Sequence, residues 1–260
     1  MQVDSLWRYP IKGLSPERLP FAELTAGYGF YFDRAYAVTD GSFDFDERHP
    51  VPMPKSHFLM LAKYERLALL TTRIDTTQHE LIVEGAGAPQ KFCLKQERDR
   101  AAFADFLTNY LAVPLRGQAK IAYSPEHQFT DVSVHSAALM RSISLINLAT
   151  VRDLERRIGI PLDPRRFRAN VYFDGAEPWS ELDWIGRQLR CGDVVLNIVR
   201  RTRRCPATSV NLSTGTRDID LPHAIRDYMG HGDCGIYAEV VASGRLEPGA
   251  SVDVVAAVNE

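Results

Sequence analysis

The sequence has no stretch approaching the roughly 18 consecutive apolar residues that a bilayer-spanning helix needs, so no membrane span is expected. It also has little net charge: 31 Lys and Arg stand against 33 Asp and Glu, a balance of -2. That excludes general adhesion to nucleic acid or acidic membranes, and any cationic site has to be local. The opening segment MQVDSLWRYPIKGLSPERLP lacks the charged start, apolar stretch and small-residue cleavage site of a secretory signal, which makes the cytoplasm the expected compartment. Cysteine is scarce. Cys93, Cys191, Cys205 and Cys234 form no C-x-x-C pair and no regular framework, which argues against disulfides and against the ligand spacing of structural zinc. His49, His57, His135, His223 and His231 make no H-x-x-x-H pattern, and each reads as a surface or hydrogen-bonded residue. With no G-x-x-x-x-G-K-[ST] loop and no G-x-S-x-G elbow, neither a P-loop nucleotidase nor an α/β-hydrolase is indicated. Repeats, low-complexity tracts and heptads are absent too.

What is present is 260 residues with 45% hydrophobic content, enough for one large domain or two modest ones. Short β-rich segments dominate. Residues 29–40, GFYFDRAYAVTD, alternate as a half-buried strand does, and 65–75, ERLALLTTRID, with 79–85, HELIVEG, predict two strands joined by a polar turn. Between them, residues 41–57, GSFDFDERHPVPMPKSH, are crowded with Pro, Asp and Gly and read as a long loop over a site. Residues 98–113 predict a helix with Phe103, Phe106, Leu107, Tyr110 and Leu111 on its core face. A polar, turn-rich stretch follows at 115–131, and we place a boundary in it, giving domains at 1–120 and 121–260. In the second half, SISLINLATVRDLERRIGI predicts a helix capped by Asn147, with Thr150 in its first turn and free N–H groups that suit an anion. IGRQLRCGDVVLNIVRRTRRC reads as two strands about a Cys-Gly-Asp turn, LPHAIRDYMG as a short helix, and the rest as strands with Ser-Gly and Pro-Gly turns. Both halves are thus mainly β with a few helices, an α+β chain.

The chemistry points to Cys205. Arg200, Arg201, Arg203 and Arg204 precede it, and nearby positive charge favours the thiolate, the form that binds metals and attacks electrophiles. Along a strand alternate arginines face opposite sides, so two of the four should share the side of Cys205. Pro206 ends regular pairing and leaves the cysteine where a strand enters a loop. From these residues alone three readings stay open: an inert thiol on a basic strand, a metal ligand, or a sulfur nucleophile.

Five segments in order, RYPIKGL (8–14), DRAYAVTD (33–40), RFRANVYFDG (166–175), RRCPATSVNLSTG (203–215) and GIYAEVVASGRLEPGASV (235–252), carry a resemblance. The chain resembles the MOSC family, named for the C-terminal domain of molybdenum cofactor sulfurase, over nearly its whole length. The order resembles the branch with an N-terminal MOSC β-barrel domain, which includes the amidoxime-reducing component and bacterial relatives. The resemblance implies a barrel-like domain at 1–120 and a β-rich MOSC domain at 121–260. It implies a molybdenum cofactor, Mo-molybdopterin, with Cys205 as the metal ligand, and the adjoining arginines, Arg204 among them, offsetting its negative charge. Matched residue by residue, Lys12 and Arg34 would donate to the cofactor's phosphate or pterin, and Arg168 and Asn170 would bind it. Asn147 and Thr150 match polar positions facing the cofactor, although helix capping explains them as well. Tyr237 matches an aromatic near the metal, with strand packing as the competing role. The implied activity is reduction of N-hydroxylated small molecules by an oxidoreductase independent of pyridoxal phosphate. Electrons would come from a separate reductase or a small iron-sulfur or haem carrier, because the chain ends without the cysteine-rich domain some relatives append. A carrier or sulfur-transfer protein using a Cys205 persulfide is the alternative. Departures from the family pattern are Gly13 where Ser is frequent, Ala169 for Pro, and Asn211 where Asp is usual. Cys234, where a bulky apolar residue is common, is expected to pack in the core.

Overall fold

The structure, a computed structural model, describes residues 1–255. In the first half the chain forms β1 (Gln2–Arg8), β2 (Glu17–Leu19), β3 (Ala22–Leu24), β4 (Tyr36–Val38), β5 (Thr71–Asp75), β6 (Glu80–Glu84), β7 (Gln90–Cys93), α1 (Glu97–Leu111) and β8 (Ile121–Tyr123). The second half contributes α2 (Ala137–Met140), β9 (Ile143–Asn147), α3 (Leu148–Ile158), β10 (Val171–Asp174), β11 (Gln188–Cys191), β12 (Val194–Arg203), α4 (Leu221–Met229), β13 (Asp233–Ala242), β14 (Gly244–Leu246) and β15 (Val252–Val255). This is the mainly β, α+β organisation the sequence predicts. No helix among the described residues is long and apolar enough to cross a membrane.

An eight-stranded sheet dominates, in the order β15-β11-β12-β13-β9-β10-β1-β2. Within it β9 and β10 run parallel, joined through α3, and the other neighbours are antiparallel. Alternation along β9 and β10 sends Leu145, Val171 and Phe173 to one core and Ile146 and Tyr172 to the other, which α3 and α4 cover with Val151, Leu154, Leu221 and Ile225. A third core lies in the first half, where β5, β6 and β7 form a meander against α1. Phe103, Leu107 and Leu111 recur every four residues on the buried face of α1, and burying each of these side chains stabilises by about 1.5–3 kcal/mol.

The halves are interleaved rather than merely adjacent. β1 pairs with β10 (Val3 opposite Phe173, Leu6 opposite Val171), and β3 pairs with β14. The segment 10–14 then leaves the large sheet and delivers Ile11 and Leu14 to the first-half core. Lys12, between them, therefore sits at the junction.

Two local expectations give way. Only Tyr36–Val38 of segment 29–40 is strand, because Phe32 (φ 64) and Arg34 (φ 49) turn into the left-handed region and break the alternation. Glu65–Leu69 is a 3-10 turn that drops Leu67 into the core, and the strand begins at Thr71. The helix after β9 starts where expected: Asn147 Oδ1 accepts from Ala149 N at 3.0 Å, and Gly159 closes it in the left-handed region at φ 75.

Candidate functional site

A cleft opens where the two halves meet. Lys12, Arg34 and Lys55 reach it from the first half and Arg166, Arg168, Arg203 and Arg204 from the second, with Asp33 and Asp131 the acidic residues of its lining. Seven cations against two carboxylates, on a chain of net charge -2, make this the local positive site that the overall balance required. Cys205 and Tyr237 line it as well.

β12 brings Cys205 there by losing its regular pairing. Its register against β13 shifts between Ile198 and Arg200 and again between Arg201 and Arg203, and such irregularities re-aim side chains. Two of the four arginines do share the cleft with Cys205, but they are the consecutive Arg203 and Arg204 rather than alternate residues. Arg201 instead donates to Leu182 O at 2.7 Å and to Asp183. Cys205 is a free, half-buried thiol. Pro206 starts a 3-10 turn in which Thr208 N and Oγ1 donate to Cys205 O at 3.0 and 2.9 Å, fixing the backbone behind the sulfur. Cys191 and Cys234 are fully buried, and burial pushes each thiol up to about 12, so Cys234 packs as expected.

Arg204 donates from Nε to Cys234 O at 2.6 Å and from Nη1 to Phe167 O at 2.8 Å, while its Nη2 is buried without a partner. Arg166 grips Asp218 with two bonds of 2.7 and 2.6 Å and leaves Nε buried and unpaired. Lys12 Nζ donates to Phe129 O at 2.9 Å and Asp131 Oδ1 at 2.5 Å. Burial draws the Lys12 ammonium below its usual lysine value despite Asp131. Lys55 reaches the other Asp131 oxygen at 2.8 Å. Burial opposes the Lys55 charge, but Asp131 and Cys205 beside it outweigh that cost and raise its pKa. Partial desolvation opposes the Asp131 charge, but Lys12 and Lys55 outweigh it and hold the carboxyl well below the usual carboxylate range.

Arg34 and Arg168 are joined, Arg34 Nη2 donating to Arg168 O at 2.9 Å. Asn170 is largely committed: its Oδ1 accepts from Ser144 N and Oγ, both at 3.1 Å, and its Nδ2 donates to Trp7 O at 3.2 Å. One amide hydrogen remains for a ligand. Tyr237 lies opposite Ser144 in the β13–β9 register and faces the cleft, its hydroxyl pushed up chiefly by burial.

Asn147 and Thr150 are not in the cleft lining. Both are fully buried and serve Glu181: Thr150 Oγ1 donates to Glu181 Oε2 at 2.9 Å, and Asn147 Nδ2 approaches the same oxygen at 3.4 Å. Asn147 also caps the helix, so the helix start faces protein rather than an open anion site. Burial pushes Glu181 up to about 7, and its Oε1 has no partner. Three lining residues escaped sequence reasoning. Lys55 lies in the very loop read as covering a site, Arg166 opens the RFRAN motif, and Asp131 carried no signal at all.

The lining suits a multiply anionic ligand rich in hydrogen-bond acceptors. Three buried polar atoms of lining residues, Arg204 Nη2, Arg166 Nε and Thr202 Oγ1, have no partner among the described residues, and leaving such atoms unsatisfied is costly. Lys12, Lys55, Arg34 and Arg166 each pair with a carboxylate. Among the described residues Arg168, Arg203 and Arg204 have none. No group of three or more His, Cys, Asp or Glu side chains converges as metal ligands among the described residues.

Two family models match the chain. A family model described as MOSC domain matches residues 130–253, and one described as MOSC N-terminal beta barrel domain matches residues 1–114. The molybdenum cofactor sulfurase of Drosophila grimshawi is 24% identical over 272 residues, covering 95% of this chain and 33% of the relative. That of Drosophila mojavensis is 34% identical over 94 residues, covering 36% of this chain and 12% of the relative. The chain thus spans a third or less of the curated relatives it matches. Among solved structures, the YUAD protein from Bacillus subtilis aligns with a TM-score of 0.44 at 12% identity, over 98% of this chain and 95% of that one. YiiM from Geobacillus stearothermophilus aligns with a TM-score of 0.35 at 24% identity, over 44% of this chain and 53% of that one.

Proposed function

This chain belongs to the MOSC proteins that carry an N-terminal MOSC β-barrel domain, and from that premise we propose that it holds a molybdenum-pterin cofactor in the cleft and reduces N-hydroxylated small molecules. In this reading residues 1–120 and 121–260 are the two domains, and the protein works in the cytoplasm with electrons from a separate donor protein. The observation that carries the proposal is the coincidence, in one cleft, of a free cysteine and buried guanidinium nitrogens that no group among the described residues satisfies.

The cofactor, when bound, supplies the two-electron chemistry: an N–OH group takes up two electrons and two protons and leaves as N–H and water. The protein's own residues supply position and charge. Cys205 offers a soft thiolate to the metal. Arg204, the residue before it, and Lys55, close to its sulfur, offset negative charge there. Arg34 and Arg168 present planar donor edges suited to phosphate or a pterin, and Lys12 a point charge. Asn170 contributes its remaining N–H, and Tyr237 supplies an aromatic wall.

The test is the metal and pterin content of protein purified from a host that makes the cofactor, for the wild type and Cys205→Ala, followed by reduced-dye assay with benzamidoxime. Stoichiometric molybdenum that is lost in the variant, together with benzamidoxime turnover, supports the proposal. Metal-free protein bearing labile sulfur on Cys205 replaces it with sulfur transfer. Metal-loaded protein that leaves benzamidoxime intact overturns the reductase assignment.

A further inference from the structure

Tyr9 lies behind the cleft rather than in it. It is fully buried and absent from the lining, yet both Arg34 and Arg168 place their guanidinium carbons 4.3 Å from its ring centroid. The backbone of Tyr9 is tied to the same group: its N–H donates to Asp33 Oδ1 at 2.7 Å, and its carbonyl accepts from Arg34 N at 2.7 Å. Asp33 completes the circuit through Oδ2, which accepts from Arg34 Nη1 at 2.5 Å.

Two further facts show that this arrangement is imposed on the arginines. Arg34 and Arg168 both adopt left-handed backbone, φ 49 and 53, a conformation unfavourable for a residue with a Cβ. They are also like charges gathered at one ring, with one carboxylate, Asp33, bonded to Arg34 and, among the described residues, none to Arg168. Either face of an aromatic ring attracts a cation, and the Tyr9 ring thereby supplies part of the missing compensation. Among the described residues the hydroxyl of Tyr9 lies beside that of Tyr172 and bonds neither arginine, so the ring, not the phenol oxygen, does the holding.

We propose that Tyr9 is the positioning residue of the cleft: its ring fixes the Arg34 and Arg168 guanidiniums side by side so that their free N–H edges converge on one anionic group of the ligand. The inference rests on the reading of the cleft as an anion-binding site. Arg168 spends one donor, Nη1, on Leu14 O at 2.8 Å and keeps Nε and Nη2 available. Burial chiefly, and the neighbouring Arg34 charge with it, lower the Arg168 pKa.

The test uses arginine-labelled protein, with the Arg34 and Arg168 resonances identified through Arg34→Lys and Arg168→Lys. Ring currents from Tyr9 shift both side-chain signals upfield in the wild type and in Tyr9→Phe, and the shift disappears in Tyr9→Leu. Calorimetric titration with inorganic phosphate, on the same three proteins, shows Tyr9→Phe close to wild type and Tyr9→Leu weaker by about tenfold at a temperature well below its lowered thermal midpoint. The wild-type spectrum does not depend on Tyr9→Leu, so a Tyr9→Leu protein that fails to fold leaves the inference testable through the wild type and Tyr9→Phe. Absence of ring-shifted arginine signals in the wild type overturns the inference, as does equal phosphate affinity in Tyr9→Leu. A wild type that shows the shifted signals and binds no phosphate overturns the anion-site reading, and the positioning role with it.

Discussion

Lys12 Nζ and Asp131 Oδ1 meet at 2.5 Å across 119 residues of sequence, joining the two halves at the floor of the cleft. Asp131 also holds Lys55, so a single carboxylate offsets two ammonium groups that face the ligand space.

Replacing that carboxylate should tighten anion binding and weaken the fold. Asp131→Asn is expected to improve inorganic phosphate affinity by about three- to tenfold at low salt, an advantage that fades as ionic strength rises. Because Lys12 is buried while Asp131 is partly exposed, the accompanying loss of stability is about 1–2 kcal/mol. Titrations at two salt concentrations and urea unfolding measure both. An unchanged affinity would mean that Asp131 does not oppose the ligand.

Glu181 gives a pH signature. Burial raises its carboxyl from 4.5 to about 7, so the folded state holds the proton more tightly than the unfolded chain does. Its contribution to stability is greatest below about pH 4.5, falls as pH rises towards 7, and is level above that, a total change of about 3 kcal/mol. Glu181→Gln should remove this slope. His127, held down to about 4 by burial and by Lys12, titrates in both proteins and cancels in the difference. Parallel urea-stability profiles for wild type and variant between about pH 4.5 and 7.5 would contradict the prediction.

Gly13 stands where serine is frequent in the family, and the geometry explains why here it does not. Its φ is 84, and a Cβ would lie 2.7 Å from Leu59 O. Gly13→Ser and Gly13→Ala should therefore lose similar stability, about 2 kcal/mol or more, because the clash comes from the Cβ and not from a hydroxyl. Thermal unfolding of the pair measures it, and a neutral serine variant would show that the loop at Leu59 yields.

Thiol reactivity should divide the cysteines in pairs. Cys93 and Cys205 are partly exposed and react with dithiobis(nitrobenzoate) in the native protein, whereas Cys191 and Cys234, buried and pushed up to about 12, react only after unfolding. Mass spectrometry of the labelled peptides assigns them. Fast native labelling of Cys234 would show that its core is open.

Much of this was legible beforehand, for reasons that differ by residue. The helical stripe of α1 and the Asn147 cap are local signals, set by side-chain spacing and one hydrogen bond, and the structure contains both. Gathering Lys12, Arg34, Arg168, Asn170, Cys205 and Tyr237 into one cleft followed from the family resemblance, since no local rule brings residues 12 and 205 together. Asn147 and Thr150 misled because a buried carboxylate 31 residues beyond Thr150 claims their hydrogen bonds, a partner invisible in the pattern. Strand alternation misassigned the arginines because it assumes an unbroken register, and β12 shifts twice within the run. Asp131 could not be singled out at all: its role depends on two lysines delivered by separate loops.

The seam between β1 and β10, Gln2 opposite Asp174, also constrains how the chain is made. The first strand leaves the ribosome long before its partner has been synthesised, while the meander and α1 between them can collapse on their own contacts. Until residue 174 emerges, β1 carries an unsatisfied edge with Val3 and Leu6 in water. Assembly of the large sheet is a late, long-range closure, slow by the standards of locally connected folds, and a nascent chain stalled before β10 is the species that chaperones would have to guard.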